Sequence, residues 1–181
     1  MHFPQGSLAR KYFPPEQLIW SCPRVTCVKS AALRSGLSIA LTVASAAPNG
    51  EIDFAKVLVG INAPQGHQIC FTLDEARTRS QRVLGLMFRQ YVPDDAGMVF
   101  EYQKPRYAKM WMENTRVALD MVFVSSGMKV VQIAQNQSPD SSEIITSSKP
   151  ISFVIELTAG TTRRYDIAPG ARVEIGPKTC A

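Results

Sequence analysis

Asp120 and Glu156 stand out first, because each is a carboxylate set in an apolar stretch, Leu119-Asp120-Met121-Val122-Phe123 and Val154-Ile155-Glu156-Leu157. A buried charge has to find a partner or a task. Facing one another across a cleft, with carboxyl groups ~5–9.5 Å apart, the two would form the acid and base pair of a glycoside hydrolase, acting here on an envelope glycan. Alternatively, Glu156 belongs to a structural ion pair with Arg82 or Arg89, the nearest basic residues on a predicted helix. Both readings stand open at the level of the sequence.

A second constellation runs through Trp111, Met112, Asn114, Thr115 and Asp120. Aromatic and thioether surface beside an Asn-Thr turn and a carboxylate is the makeup of many small-ligand sites. The same residues also serve plain structural ends. Trp111 and Met112 would then be core, Asn114 an Asx turn and Asp120 a strand-end cap.

Other chemistries lack their parts. His67 is the one histidine after residue 46 and falls in a turn-rich stretch, so neither a Ser-His-Asp nor a Cys-His arrangement has a placed base. One histidine and two distant cysteines do not make a zinc set, and Asp140-Ser-Ser-Glu143 lacks the alternating carboxylates of a calcium loop. No Gly-rich phosphate loop followed by lysine occurs. The sequence therefore predicts no metal and no cofactor.

The net charge of +5 suggests an anionic partner until its position is traced. Residues 1–46 carry five Lys/Arg and one acid, which leaves 15 basic and 14 acidic side chains in residues 47–181. Without a basic stripe, nucleic acid is not an expected partner. The local excess has a different use. Lys29 and Arg34 precede an apolar run, Leu37–Val43, and the small residues Ala44-Ser45-Ala46, the order of a secretory signal peptide with its cleavage site. The run is too short for a membrane span, which takes roughly 20 apolar residues, so cleavage and no stable span are expected. The segment before it is long for a leader, which a start nearer Val25 or Val28 would explain. After cleavage Cys70 and Cys180 are the remaining cysteines, a candidate disulfide in an oxidising compartment.

Short β-type runs are the elements that must position these residues: Ile69–Leu73, Met98–Tyr102, Lys109–Met112, Met121–Val124, Lys129–Ile133, Ser152–Leu157, Arg163–Ile167 and Arg172–Ile175. Turn residues separate them, as in Pro93-Asp-Asp-Ala-Gly97, Ser125-Ser-Gly127 and Pro169-Gly170. One segment has helical spacing, Thr78 to Arg89, with Thr78 as cap and Val83, Leu84, Met87 and Phe88 sharing a face. Gly85 inside it either permits close packing or ends the helix. The prediction is a mainly β protein, a single β-sandwich or small barrel with one helix. Its parts are a leader over 1–46, a linker over 47–67, the β domain over 68–176 and a tail over 177–181.

Four ordered blocks add a resemblance: Arg82-Val-Leu-Gly85-Leu86-Met87-Phe88-Arg89, Gly97-Met98-Val-Phe100, Trp111-Met112-Glu-Asn114-Thr115-Arg-Val-Ala-Leu119-Asp120, and Glu156-Leu157-Thr-Ala159-Gly160. In that order they resemble the domain of unknown function 192 family, across Ile69 to Ile175. Ala118 and Ala171 depart from the proline and aspartate usual there. The resemblance implies a small, exported or membrane-tethered β-rich protein and brings no established activity.

Taken together, these observations predict an exported, periplasmic or secreted protein, a non-catalytic module that binds a small ligand or an envelope protein. The carboxylate hydrolase and a purely structural envelope partner are the competing readings.

Overall fold

A computed structural model describes residues 52–64 and 66–180. The expected leader, with Cys22, Cys27 and the Ala44-Ser45-Ala46 cleavage signal, lies outside the described residues. In chain order the elements are β1 (Ala55–Asn62), β2 (Gln68–Ala76), α1 (Arg79–Leu84), β3 (Gly97–Arg106), β4 (Lys109–Met110), β5 (Leu119–Val124), β6 (Val130–Gln137), β7 (Ile145–Thr146), β8 (Ile151–Thr158), α2 (Thr161–Arg164) and β9 (Val173–Ile175).

The protein is mainly β, as the strand spacing predicts. Seven strands form one mixed sheet in the order β6-β5-β8-β3-β2-β1-β9, and β4 pairs with β7 in a separate ribbon. All neighbours are antiparallel except β2 and β3, which run parallel through Asp74↔Met98, Glu75↔Val99 and Ala76↔Phe100. The sheet does not close into a barrel. Next to the edge strands β6 and β9, Lys129 and Arg172 form an isolated antiparallel bridge.

Period-two alternation gives the central strands two apolar faces, because successive side chains leave a strand on opposite sides. One face gathers Val99, Val122, Ile155 and Leu157 with Phe71, Leu73 and Val173. The other gathers Met98, Phe100, Met121 and Val154, covered by Leu86 and Val92 from the β2–β3 connection and by Met110 and Met112 from the segment after β3.

Local chemistry explains where elements stop. Thr78 caps α1 as its sequence suggests: its hydroxyl accepts from Gln81 N at 3.2 Å while the Gln81 side chain accepts from Thr78 N at 2.9 Å. The helix ends at Leu84, well short of Arg89, because Gly85 takes φ 53° and its N–H closes on the Gln81 carbonyl. The expected apolar helix face therefore does not form, and Val83 and Phe88 are exposed. Pro105 donates no hydrogen bond, and the pairing of β3 with β8 shifts register between Glu101 and Arg106.

Three further expectations are corrected. The stretch read as linker contains β1, which pairs with β2 along its whole length from Ala55↔Glu75 to Asn62↔Gln68. Arg163–Ile167, read as a strand, begins inside α2. The strand expected over Lys109–Met112 shortens to two residues and finds its partner in β7, which carries no strong strand pattern. Cys70 on β2 and Cys180 are joined by a disulfide across 110 residues of sequence, with Cα atoms 5.9 Å apart.

Candidate functional site

Glu156 lies in the middle of β8, paired with Met98 on one side and Met121 on the other. Directly paired residues share a face, so its side chain emerges among these two methionines, under the β2–β3 connection. The backbones of β3 and β8 meet closely here: a Cβ on Gly97 would fall 2.1 Å from the Glu156 carbonyl oxygen, which requires glycine at that position.

Above Glu156 lies an open cavity of about 490 Å³ with the carboxyl at its floor. β3 contributes Phe100, Tyr102 and Arg106 to its wall, and α1 with its cap contributes Arg79, Arg82 and Gly85. Lys109 and Met110 of β4 join them, with Trp111 and Thr115 from the turn that follows. Gly85 matters to this wall, because its backbone conformation disfavours other residues and a Cβ there would stand 3.4 Å from the Phe100 ring.

Tyr102 organises the cations. The Arg82 guanidinium lies 5.5 Å and that of Arg106 5.6 Å from its ring centroid, distances typical of cation–π contact. Its hydroxyl lies 3.6 Å from Met110 Sδ. Burial pushes the Tyr102 hydroxyl above its ordinary value, although Arg106 and Arg82 pull the other way. Arg82 also donates to the carbonyl oxygens of Arg77 and Glu101, which fixes its approach.

Glu156 is 4% exposed, and among the described residues neither a salt bridge nor a side-chain hydrogen bond reaches its carboxyl. Removal from water disfavours the charged form and raises Glu156 to about 8, so it is largely a neutral acid at pH 7. Such a group can donate one hydrogen bond, or ionise when a cation arrives. Arg79, Arg82, Arg106 and Lys109 likewise have no carboxylate within salt-bridge distance among the described residues.

The residues singled out in the sequence divide between this cavity and the scaffold. Trp111, 39% exposed, and buried Thr115 line the cavity. Met112 is core. Asn114 sits at φ 58° in the turn, and its carbonyl accepts from Phe88 N at 2.9 Å. Asp120 is remote from the site: it pairs with Leu157 and so points to the face opposite Glu156. There it accepts from Thr162 N (2.9 Å), Thr162 Oγ1 (2.7 Å) and Asn136 N (2.9 Å), tying α2 and β6 to β5. The proposed acid and base pair therefore does not converge.

Nor does Glu156 pair with an arginine as expected. Arg89 bonds Asp74 at 2.7 Å, and Arg82 is spent on backbone carbonyls and Tyr102. Tyr102, Arg106 and Lys109 were not singled out in the sequence. The one available signal was the alternation Phe100, Tyr102 along β3, which places the phenol on the face of Glu156.

The fold and site define a mainly β domain with an open mixed sheet and a cavity walled by aromatics and cations above a buried carboxyl. Residues 61–175 match the family model DUF192, described as Uncharacterized ACR, and the chain belongs to that family. A solved structure from Sinorhizobium meliloti 1021, described as a candidate transcription regulator, is 39% identical with a TM-score of 0.67, covering 69% of this chain and 97% of its own. A protein of unknown function from Novosphingobium aromaticivorans DSM 12444 is 32% identical with a TM-score of 0.66, covering 77% of this chain and 99% of its own. No curated protein matches the chain.

Proposed function

We propose that this protein is an exported, non-catalytic module that binds a small ligand in the cavity above Glu156. The observation that carries the reading is the cavity itself: about 490 Å³, open to solvent, with aromatic walls and a few convergent polar groups, the features of small-molecule sites. Catalysis has less support, because the second carboxylate points to the other face of the sheet. Export is supported by the order of charge, apolar run and small residues over Lys29–Ala47, and by the Cys70–Cys180 disulfide, which suits an oxidising compartment.

Transcriptional regulation, the description attached to the Sinorhizobium relative, gains little support. Reading duplex DNA usually employs a helix or ribbon laid into the major groove, whereas the two described helices have six and four residues. A crystallographic soak with a fragment library tests the binding reading. Density for fragments in contact with Trp111 and Tyr102 is the expected result; fragments bound elsewhere with this cavity empty would overturn it. Amino-terminal sequencing of chain recovered from the cell envelope should begin near Ala47, and an uncleaved cytoplasmic chain would refute export.

A further inference from the structure

Resting on that binding reading, we infer that the ligand is a small zwitterion, with an ammonium group seated on Glu156 and an anionic group held at the mouth by Arg79, Arg106 and Lys109. Charge is ordered with depth in this cavity. The acid lies at the floor, 4% exposed and without a partner among the described residues, whereas Arg79, Arg106 and Lys109 are exposed at its mouth and Arg82 is half-buried beside Tyr102. An anion drawn by the cations stops at the mouth and leaves the floor carboxyl unpaired. A plain amine would satisfy the floor but must pass three cations to reach it. A molecule carrying both charges, joined by an apolar body, meets Glu156, the Phe100, Tyr102 and Met110 walls, and the outer cations in turn.

Neutral Glu156 meets R–NH3+, the carboxyl O–H bond breaks, the carboxylate pairs with the ammonium, and the proton passes to solvent. Burial holds Glu156 near 8, so binding at pH 7 releases close to one proton, and affinity rises as pH climbs from 6 towards 8. The titratable or charged groups facing Glu156 across the cavity are Arg79 and Arg82 from α1, Tyr102 and Arg106 from β3, and Lys109 from β4. Tyr102, raised by burial, stays neutral through this range. Glu156 supplies the linkage.

Calorimetry on the full chain with 6-aminohexanoate, hexylamine and hexanoate, at pH 6, 7 and 8 in buffers of different ionisation enthalpy, tests this. The aminoacid should bind at least 10-fold more tightly than either single-ended compound and release a proton at pH 7. Glu156→Gln should abolish the release and the preference over hexanoate while the melting temperature does not fall, and Arg106→Ala should lose the preference over hexylamine. Hexanoate binding as tightly, more weakly as pH rises, would show Glu156 donating to an anion and overturn the inference while leaving the binding site in place. Binding of none of the three also overturns it, and the fragment soak then judges the site independently.

Discussion

Asp120 and Glu156 sit on adjacent strands, one pairing position apart, and leave the sheet on opposite faces. The register is explicit: Met121 opposes Glu156, and Asp120 opposes Leu157. One carboxyl group thus faces a cavity without a partner among the described residues, and the other is fully buried and accepts three hydrogen bonds.

Asp120→Asn should therefore destabilise the fold. An amide has one acceptor oxygen and presents an NH2 where the carboxylate receives N–H and O–H groups. Hydrogen bonds to charged groups contribute about 1.5–3 kcal/mol each, and leaving their partners unsatisfied adds to the loss, so about 2–4 kcal/mol is expected from urea unfolding. A loss under ~0.5 kcal/mol would contradict the assigned role.

Glu156→Gln should behave in the opposite way. In the unfolded chain Glu156 titrates near 4.5, and in the fold near 8, so folding takes up a proton between those values. Its contribution to stability is present in full below pH 4.5 and is lost as pH rises to about 8. The melting temperatures of wild type and Glu156→Gln should thus converge near pH 4 and separate towards pH 8, with the variant higher. Parallel curves would show that the carboxyl is not held neutral by burial.

Reduction of Cys70–Cys180 should lower stability substantially. A cross-link spanning about 100 residues removes ~4.7 kcal/mol of chain entropy from the unfolded state in the loop-closure account. Cys180→Ser and dithiothreitol should depress the thermal midpoint by similar amounts, by calorimetry. A midpoint indifferent to reductant would show that the bridge carries no weight.

Trp111→Ala should leave the thermal midpoint within ~2 °C, because the ring stands at the cavity mouth and surface changes away from special features cost little. The rise in midpoint given by a cavity ligand should shrink sharply; saturation at 100 times Kd is worth about 2.7 kcal/mol in a competent site. A strongly destabilised Trp111→Ala would place the ring in the scaffold.

Much of the sheet was legible, because apolar alternation and turn residues mark β2, β3, β5, β6 and β8 directly. What failed was context. Val57-Leu58-Val59 looks like a short apolar piece until β2 pairs with it over eight residues. α1 carried a helical pattern through Phe88, but one glycine at φ 53° outweighed it. Arg163–Ile167 reads as a strand locally, while Asp120, 42 residues before Thr162, organises the turn of helix there. At the site, Trp111, Thr115 and Glu156 were visible as unusual residues in their strings. Their company was not, since Tyr102, Arg106 and Lys109 gain meaning only when β3 and β4 fold over β8.

The parallel β2–β3 pair has a consequence for how this site can vary. Antiparallel neighbours need only a turn, but parallel neighbours oblige the chain to travel back across a face of the sheet, usually over a dozen or more residues. Here residues 77–96 make that return journey and bring Arg79, Arg82 and Gly85 to the cavity on the way. A strap over Glu156 is thus dictated by strand order, while its contents answer only to the cavity. Grafting a different strap of equal length onto this sheet should re-tune what is bound without redesigning the protein beneath it.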